Sequence, residues 1–368
     1  MTRAPRILLA GGGTGGHVYP AIAIADALRA EVPDAAIAFA GTRERLEWEA
    51  VPKAGYAIHA ITVSGFQRRL SARNLAFPFK LLNGFRQSWS LVGDFDADVA
   101  VGTGGYVAGP VLLAASLRGR PIVVQEQNAY AGVTNKLLAR RATQVHIAFP
   151  EAASFFPPGR CLLSGNPTRH ALQEADRATS RAALDIPAEA RVLLVFGGSL
   201  GSAALNAAME RHLDGLLADE DTVILWQSGA RYYEALAARV PSHPRLRLLK
   251  YIDRMDQTYA AADLALCRAG ALTCSELMVT GTPSVLVPSP NVAEDHQTKN
   301  ATSMVAAGAA RLLPEPQLAD ELADRVQRLL LDAPAREQMT AAARALARPQ
   351  AARDIALAVL GLVGHATN

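Results

Sequence analysis

The stretch Arg6-Ile7-Leu8-Leu9-Ala10-Gly11-Gly12-Gly13-Thr14-Gly15-Gly16-His17 is an aliphatic run that breaks into glycines. Beyond it, Ile22, Ala25 and Leu28 recur at helical spacing. A strand that turns through glycines into a helix is the opening unit of a doubly wound α/β sheet. Glycine lets backbone N–H groups come close to a ligand, and the helix start adds partial positive charge. The run also satisfies G-x-G-x-x-G, the dinucleotide pattern. That pattern wants a carboxylate at the end of the second strand for the ribose hydroxyls, and the chain has Ala40-Gly41-Thr42 there. A nicotinamide-dependent oxidoreductase is therefore set aside.

Outward from this point the same rhythm repeats. Strands are expected at Arg6–Ala10, Ala36–Ala40, Asp98–Val101, Pro121–Gln125 and Gln144–Ala148. A second series is expected at Arg191–Phe196, Thr222–Gln227, Arg245–Tyr251, Leu264–Cys267 and Ser284–Pro288. Strands alternating with helices imply parallel sheets covered on both faces, so the fold class is α/β with two doubly wound Rossmann-like domains facing a cleft. The turn-rich Ser164-Gly165-Asn166-Pro167 marks the boundary, giving domains 1–164 and 165–346. A polar helix over Arg169–Leu184 is expected to open the second. The tail, about 347–368, reads as a helix that packs back on the first domain.

Bulk composition agrees. With 368 residues, half of them hydrophobic, the chain can bury two cores. A net charge of +3 gives no reason to expect a nucleic-acid partner. Cys161, Cys267 and Cys274 lie in apolar stretches without zinc spacing and read as small buried hydrophobes. No apolar run approaches the ~18 residues that span a bilayer, so membrane contact is expected to be peripheral.

Two further glycine loops follow strands: Gly102-Thr103-Gly104-Gly105-Tyr106 and Gly197-Gly198-Ser199-Leu200-Gly201. All three should emerge at the carboxyl edge of a sheet, where ligands bind. Arg268-Ala269-Gly270-Ala271-Leu272-Thr273-Cys274-Ser275-Glu276 opens a helix with small residues that can close on a phosphate. Glu276, one to two turns in, can accept from ribose hydroxyls. Asp295-His296-Gln297-Thr298-Lys299-Asn300 offers donors and acceptors for sugar hydroxyls. The acidic Asp94-Phe95-Asp96-Ala97-Asp98 is read as a turn before a buried strand, not as a metal site.

Taken together, GGGTGGHVYPA (11–21), GTGGYVAGP (102–110), QEQNAYAGVTNKLLA (125–139), SGNPTR (164–169), FGGSLG (196–201), YIDRM (251–255), RAGALTCSE (268–276) and DHQTKNA (295–301) resemble the MurG family. These are peptidoglycan N-acetylglucosaminyltransferases of the GT-B fold, and the match runs along nearly the whole chain in the family's order.

The resemblance implies an inverting transfer of GlcNAc from UDP-GlcNAc to the C4 hydroxyl of a muramyl-pentapeptide carried on undecaprenyl pyrophosphate. The donor would meet Ile252 with its uracil, Glu276 with its ribose, and Ser199 with Ala271, Leu272 and Thr273 near its pyrophosphate. Its sugar would meet Gln297 and His296. Arg169, Asn128, Thr14, Gly15 and Gly16 complete the expected donor set. The acceptor pyrophosphate would use Thr14, Gly15 and Gly16 with Gly104, Gly105 and Tyr106. His17 is the candidate base, because imidazole as a residue type exchanges protons near neutral pH. Asn128 would orient a sugar, since an amide cannot serve as a base. If helix dipoles and Arg169 offset the charge on departing UDP, no metal cofactor is chemically required. The chain departs from the family at Leu200, where Gln is common, Ala269, where Ser is common, and Gln125, where His is common.

Between Val51 and Gly93 there is no acidic residue. Arg68, Arg69, Arg73 and Lys80 are interleaved with Phe66, Phe77, Phe79, Leu82 and Phe85, which suits an anionic membrane surface. The expected location is the cytoplasmic face of the inner membrane, beside other cell-wall synthesis proteins. Two other readings share the sugar-nucleotide contacts. One is an epimerase acting on UDP-GlcNAc alone, and the other a non-catalytic sugar-nucleotide-binding scaffold.

Overall fold

A computed structural model describes residues 3–63 and 77–364, less the side chains of Phe77, Pro78 and Ala293. The chain divides into two compact units, residues 1–168 with 350–368, and residues 169–349. Each is built on one all-parallel sheet.

The first unit contains β1 (Arg6–Gly11), β2 (Ala36–Gly41), β3 (Ala57–Ala60), β4 (Val99–Gly104), β5 (Ile122–Glu126), β6 (Gln144–Ile147) and β7 (Cys161–Leu163), ordered β3-β2-β1-β4-β5-β6-β7. Its helices are α1 (Gly15–Glu31), α2 (Glu47–Lys53), α3 (Phe77–Asp94), α4 (Gly105–Leu117) and α5 (Val133–Ala139). Both faces of the sheet are covered, so Ile7, Leu8, Leu9 and Ala10 are all fully buried and the strand is a continuous apolar run. The switch in winding direction falls between β1 and β4, which pair directly.

The second unit opens with α6 (Ala171–Glu174) and α7 (Arg177–Ala183). A single helix over Arg169–Leu184 is thus corrected to two, because Asp176 is extended and caps Thr179 N with its carboxylate. Then come β8 (Arg191–Phe196), α8 (Ala203–Leu217), β9 (Thr222–Gln227), α9 (Tyr233–Ala237), β10 (Leu246–Leu249), α10 (Met255–Ala261), β11 (Leu264–Cys267), α11 (Ala271–Thr280), β12 (Ser284–Leu286), α12 (His296–Ala306), β13 (Ala310–Leu312), α13 (Leu318–Leu331) and α14 (Ala333–Leu346). The order β10-β9-β8-β11-β12-β13 puts this switch between β8 and β11.

After Pro349 the chain rejoins the first unit. There α15 (Ala351–Leu362) packs on α1, with Ile355, Ala356, Val359 and Leu360 fully buried in the core beneath β1. Asp96 and Asp98 are engaged by Arg3, and Asp98 also accepts from Arg6 N at 2.8 Å, a turn tied down by arginine. No helix among the described residues is long and apolar enough to cross a membrane, and none of their acidic, histidine or cysteine groups cluster as metal ligands.

Candidate active site

In the first unit the glycine loops after β1 and β4 form one structure. Strand β4 continues through Gly104, so Gly102–Gly104, expected as a loop, is strand. Gly105, at φ +79°, lies so close that a β-carbon would stand 2.2 Å from the Gly12 carbonyl oxygen. One on Gly104, at φ +107°, would stand 2.8 Å from His17 Nδ1. Thr103 Oγ1 donates to the His17 carbonyl at 2.7 Å, fixing the first turn of α1 against β4.

His17 Nδ1 sits 3.0 Å from both the Thr103 carbonyl and Gln127 Oε1. Gln127 Nε2 in turn faces the Thr103 carbonyl, the Gln125 carbonyl and Gln125 Oε1, all acceptors, which fixes the orientation of the Gln127 amide. Gln125 Nε2 donates onward to Asn166 Oδ1 at 2.9 Å. The three amides are buried and run head to tail. Two acceptors at Nδ1 require it to carry the proton, which leaves the Nε2 lone pair as the ring's acceptor. That is the tautomer a general base needs. With Gln125 as its middle member, the chain of side chains is entirely amide.

Two buried carboxylates missed in sequence organise the surrounding loops. Glu47 accepts from Gly13 N at 2.9 Å, Thr42 N at 3.1 Å and Thr42 Oγ1 at 2.7 Å. A carboxylate does therefore follow β2, but its oxygens face protein donors, and the Gly13 N–H is already taken. Glu126 accepts from Asn128 N, Gly132 N and the Asn135 amide at 2.8–3.0 Å, and from Asn128 Nδ2 at 3.3 Å. Asn128 is thus held at the carboxyl end of β5. Thr14 and Gly16 are exposed at the start of α1, and Tyr106 is 59% exposed at the start of α4.

In the second unit a pocket of about 550 Å³ is lined by Gly197–Ser202, Arg268, Ser289, Asn291, Gln297 and Glu315. Ser199 and Gln297 meet there. Gln297 Oε1 accepts from Ser289 N at 2.8 Å, leaving its amide nitrogen to donate. His296, beside it, starts α12. Arg268 is held by Glu315, by Ser202 Oγ at 2.7 Å, and by the Val287 and Pro288 carbonyls at 3.1 Å. Its guanidinium is a fixed cation at the β8–β11 switch. Ala271, Leu272 and Thr273 form the first turn of α11, where backbone N–H groups are unsatisfied by the helix itself.

Glu276 receives Arg169 at 3.3 Å and the Tyr259 hydroxyl at 3.1 Å. Burial pushes its carboxyl above the usual range, against the opposing pull of Arg169 and Tyr259. Ile252 donates its N–H to Gln227 Oε1 at 2.8 Å, so only its carbonyl remains to meet a base. Gln227 also donates to the Gly198 carbonyl at 3.0 Å, tying Ile252 to the glycine loop. No sequence signal pointed to Gln227.

Of the proposed membrane face, Phe66, Arg68, Arg69 and Arg73 lie outside the described residues, as does the side chain of Phe77. On α3, Phe79 is 76% and Leu82 61% exposed, Lys80 is exposed, and Phe85 turns inward against the core.

Comparison with known proteins agrees along the chain. Residues 7–147 match the glycosyltransferase family 28 N-terminal domain and residues 192–355 the family 28 C-terminal domain. The UDP-N-acetylglucosamine–N-acetylmuramyl-(pentapeptide) pyrophosphoryl-undecaprenol N-acetylglucosamine transferase of Salinibacter ruber is 61% identical over 361 residues, 98% of each chain. The Flavobacterium psychrophilum protein of that name is 41% identical, covering 97% of this chain and 98% of its own. The crystal structure of Acinetobacter baumannii MurG superposes with a TM-score of 0.79 at 31% identity, covering 97% of this chain and 99% of its own. The chain belongs to glycosyltransferase family 28, and within it to the MurG family.

Proposed function

We propose that this enzyme moves GlcNAc from UDP-GlcNAc to the C4 hydroxyl of MurNAc in undecaprenyl-pyrophosphoryl-MurNAc-pentapeptide, with inversion. The observation that carries this reading is the full-length likeness to a transferase of that name at 61% identity. The acceptor oxygen attacks C1 of GlcNAc, the C1–O bond to UDP breaks, and its electron pair leaves on the β-phosphate. The hydroxyl proton passes to His17 Nε2, whose tautomer the Thr103 carbonyl and Gln127 support.

On this reading the second unit holds the donor. The Ile252 carbonyl takes the uracil, Glu276 the ribose, and Ser199 with the Ala271–Thr273 turn the diphosphate. Gln297 and His296 take the sugar, and Arg169 offsets charge on leaving UDP. The first unit holds the acceptor through Thr14–Gly16 and Gly104–Tyr106, with Asn128 orienting a sugar. The exposed side of α3 rests on an anionic membrane at its cytoplasmic face, where the lipid-linked acceptor resides.

The test is UDP release from UDP-GlcNAc with and without the lipid-linked muramyl-pentapeptide, in detergent and EDTA. Acceptor-dependent release is expected. Release without acceptor, accompanied by a new sugar nucleotide, would replace this reading with the epimerase. Binding of UDP-GlcNAc without release, even with added magnesium, would replace it with the scaffold.

A further inference from the structure

Two pockets of the first unit meet at Val63 and Tyr106. One, of about 480 Å³, is polar and includes Arg43, Arg45 and Lys80. Its carboxylates are Glu44, which is exposed, and Glu47, whose oxygens already accept from Gly13 and Thr42. Three cations therefore face one carboxylate without those bonds. The other is a groove of about 670 Å³ between α3, α4 and α5, walled by Phe85, Pro110, Leu113 and Leu137. That volume falls within the ~300–1,000 Å³ of small-molecule sites.

Resting on the transferase reading, we infer that this groove holds the first isoprenyl units of the acceptor within the protein, while the adjoining cationic pocket receives the diphosphate that carries them. The occupant follows from continuity and charge. A polyprenyl diphosphate is an anion joined directly to a branched apolar chain, and Tyr106 stands where anion pocket and apolar groove join. A bilayer would be met by convex groups, such as Phe79 projecting from α3, which does not line the groove. The groove is concave, with Leu113 partly buried in its wall. Arg141, also lining it, can sit beside headgroups where the rest of the chain enters the membrane.

The experiment uses the full chain without vesicles or detergent. Muramyl-pentapeptide diphosphate esters bearing a methyl group or one to four isoprenyl units are supplied below their micelle concentrations, and UDP release is followed. KM should fall on the order of tenfold per isoprenyl unit for the first two or three units, then level. Gly109→Leu should collapse the series towards a single KM, because a β-carbon at Gly109 already reaches 3.6 Å from Thr134 across the groove. Leu137→Asp, at a site 64% exposed and remote from the core, should flatten it as well and does not threaten folding. Wild-type KM independent of chain length would overturn the groove while leaving the transferase intact. So would a chain-length series unchanged in both variants. No release with any acceptor would remove the transferase reading and this one with it.

Discussion

In the first unit, Gly105 lies on Gly12 and Gly104 on His17, so the loop after β1 meets the β4–α4 junction at the switch point of the sheet. In the second unit the crowded pair is Gly201 and Gly229, where a β-carbon on Gly229 would stand 2.6 Å from the Gly201 Cα. Those loops follow β8 and β9, on the far side from the switch. The β8–β11 crevice is left to Ser199, Arg268 and the start of α11. One winding thus yields two kinds of edge. The closed one positions an imidazole, whereas the open one leaves room for a ligand at the usual place in such sheets. A glycine loop alone does not say which kind it belongs to. Its partner loop does.

If the closed edge exists to aim His17, then His17→Ala should lower kcat by about 10²–10⁴-fold with UDP-GlcNAc affinity changed less than threefold, measured by steady-state kinetics and calorimetry. A parallel loss of donor affinity would mean that the histidine serves the nucleotide. Next in size, Gly105→Ala should cost about 3–5 kcal/mol of stability, since a β-carbon collides with the Gly12 carbonyl. Gly198→Ala, with a similar positive φ but no atom within 4 Å of the new carbon, should cost only ~1–2 kcal/mol. Equal losses in urea unfolding would erase the distinction between interlocked and open glycines.

Acid should separate the units by a smaller margin. His146 is buried on β6 beside Ser164 Oγ at 2.7 Å, and burial pushes it down to about 4 from 6.5. The folded state resists its protonation, so stability present above pH 6.5 is lost as pH falls towards 4, up to about 3 kcal/mol in the first unit. Glu276 works the other way. Its carboxyl is raised in the fold, so protonation on acidification favours the folded second unit. Hydrogen exchange at pH 7 and 4.5 should show β6 losing protection before β8, and His146→Phe should remove the difference. Equal loss in both sheets would count against it.

The aliphatic run of β1 and the glycines after β1, β4 and β8 made both sheets legible, because buried parallel strands cannot hide their apolar runs. The short strands β3, β7 and β13 were not anticipated. They are short edge strands, and partial exposure breaks up the apolar signal, as with Leu162 and Leu163 in β7. His17, Glu276 and Gln297 were nominated from their motifs. Gln127, Gln227 and Glu47 were not, because each has a partner distant in sequence: His17 for Gln127, Ile252 for Gln227 and Gly13 for Glu47. Glu47, in the first turn of α2, belongs to none of the glycine motifs.

The return of α15 to the first unit also bears on how the chain is made. Residues 351–362 supply buried side chains that pack on α1, the helix whose first turn carries His17. During synthesis the second unit, residues 169–349, is therefore wholly available before the first can complete its core. The unit whose first strands emerge before the second is completed only after it, and α1 is not covered until α15 has left the ribosome.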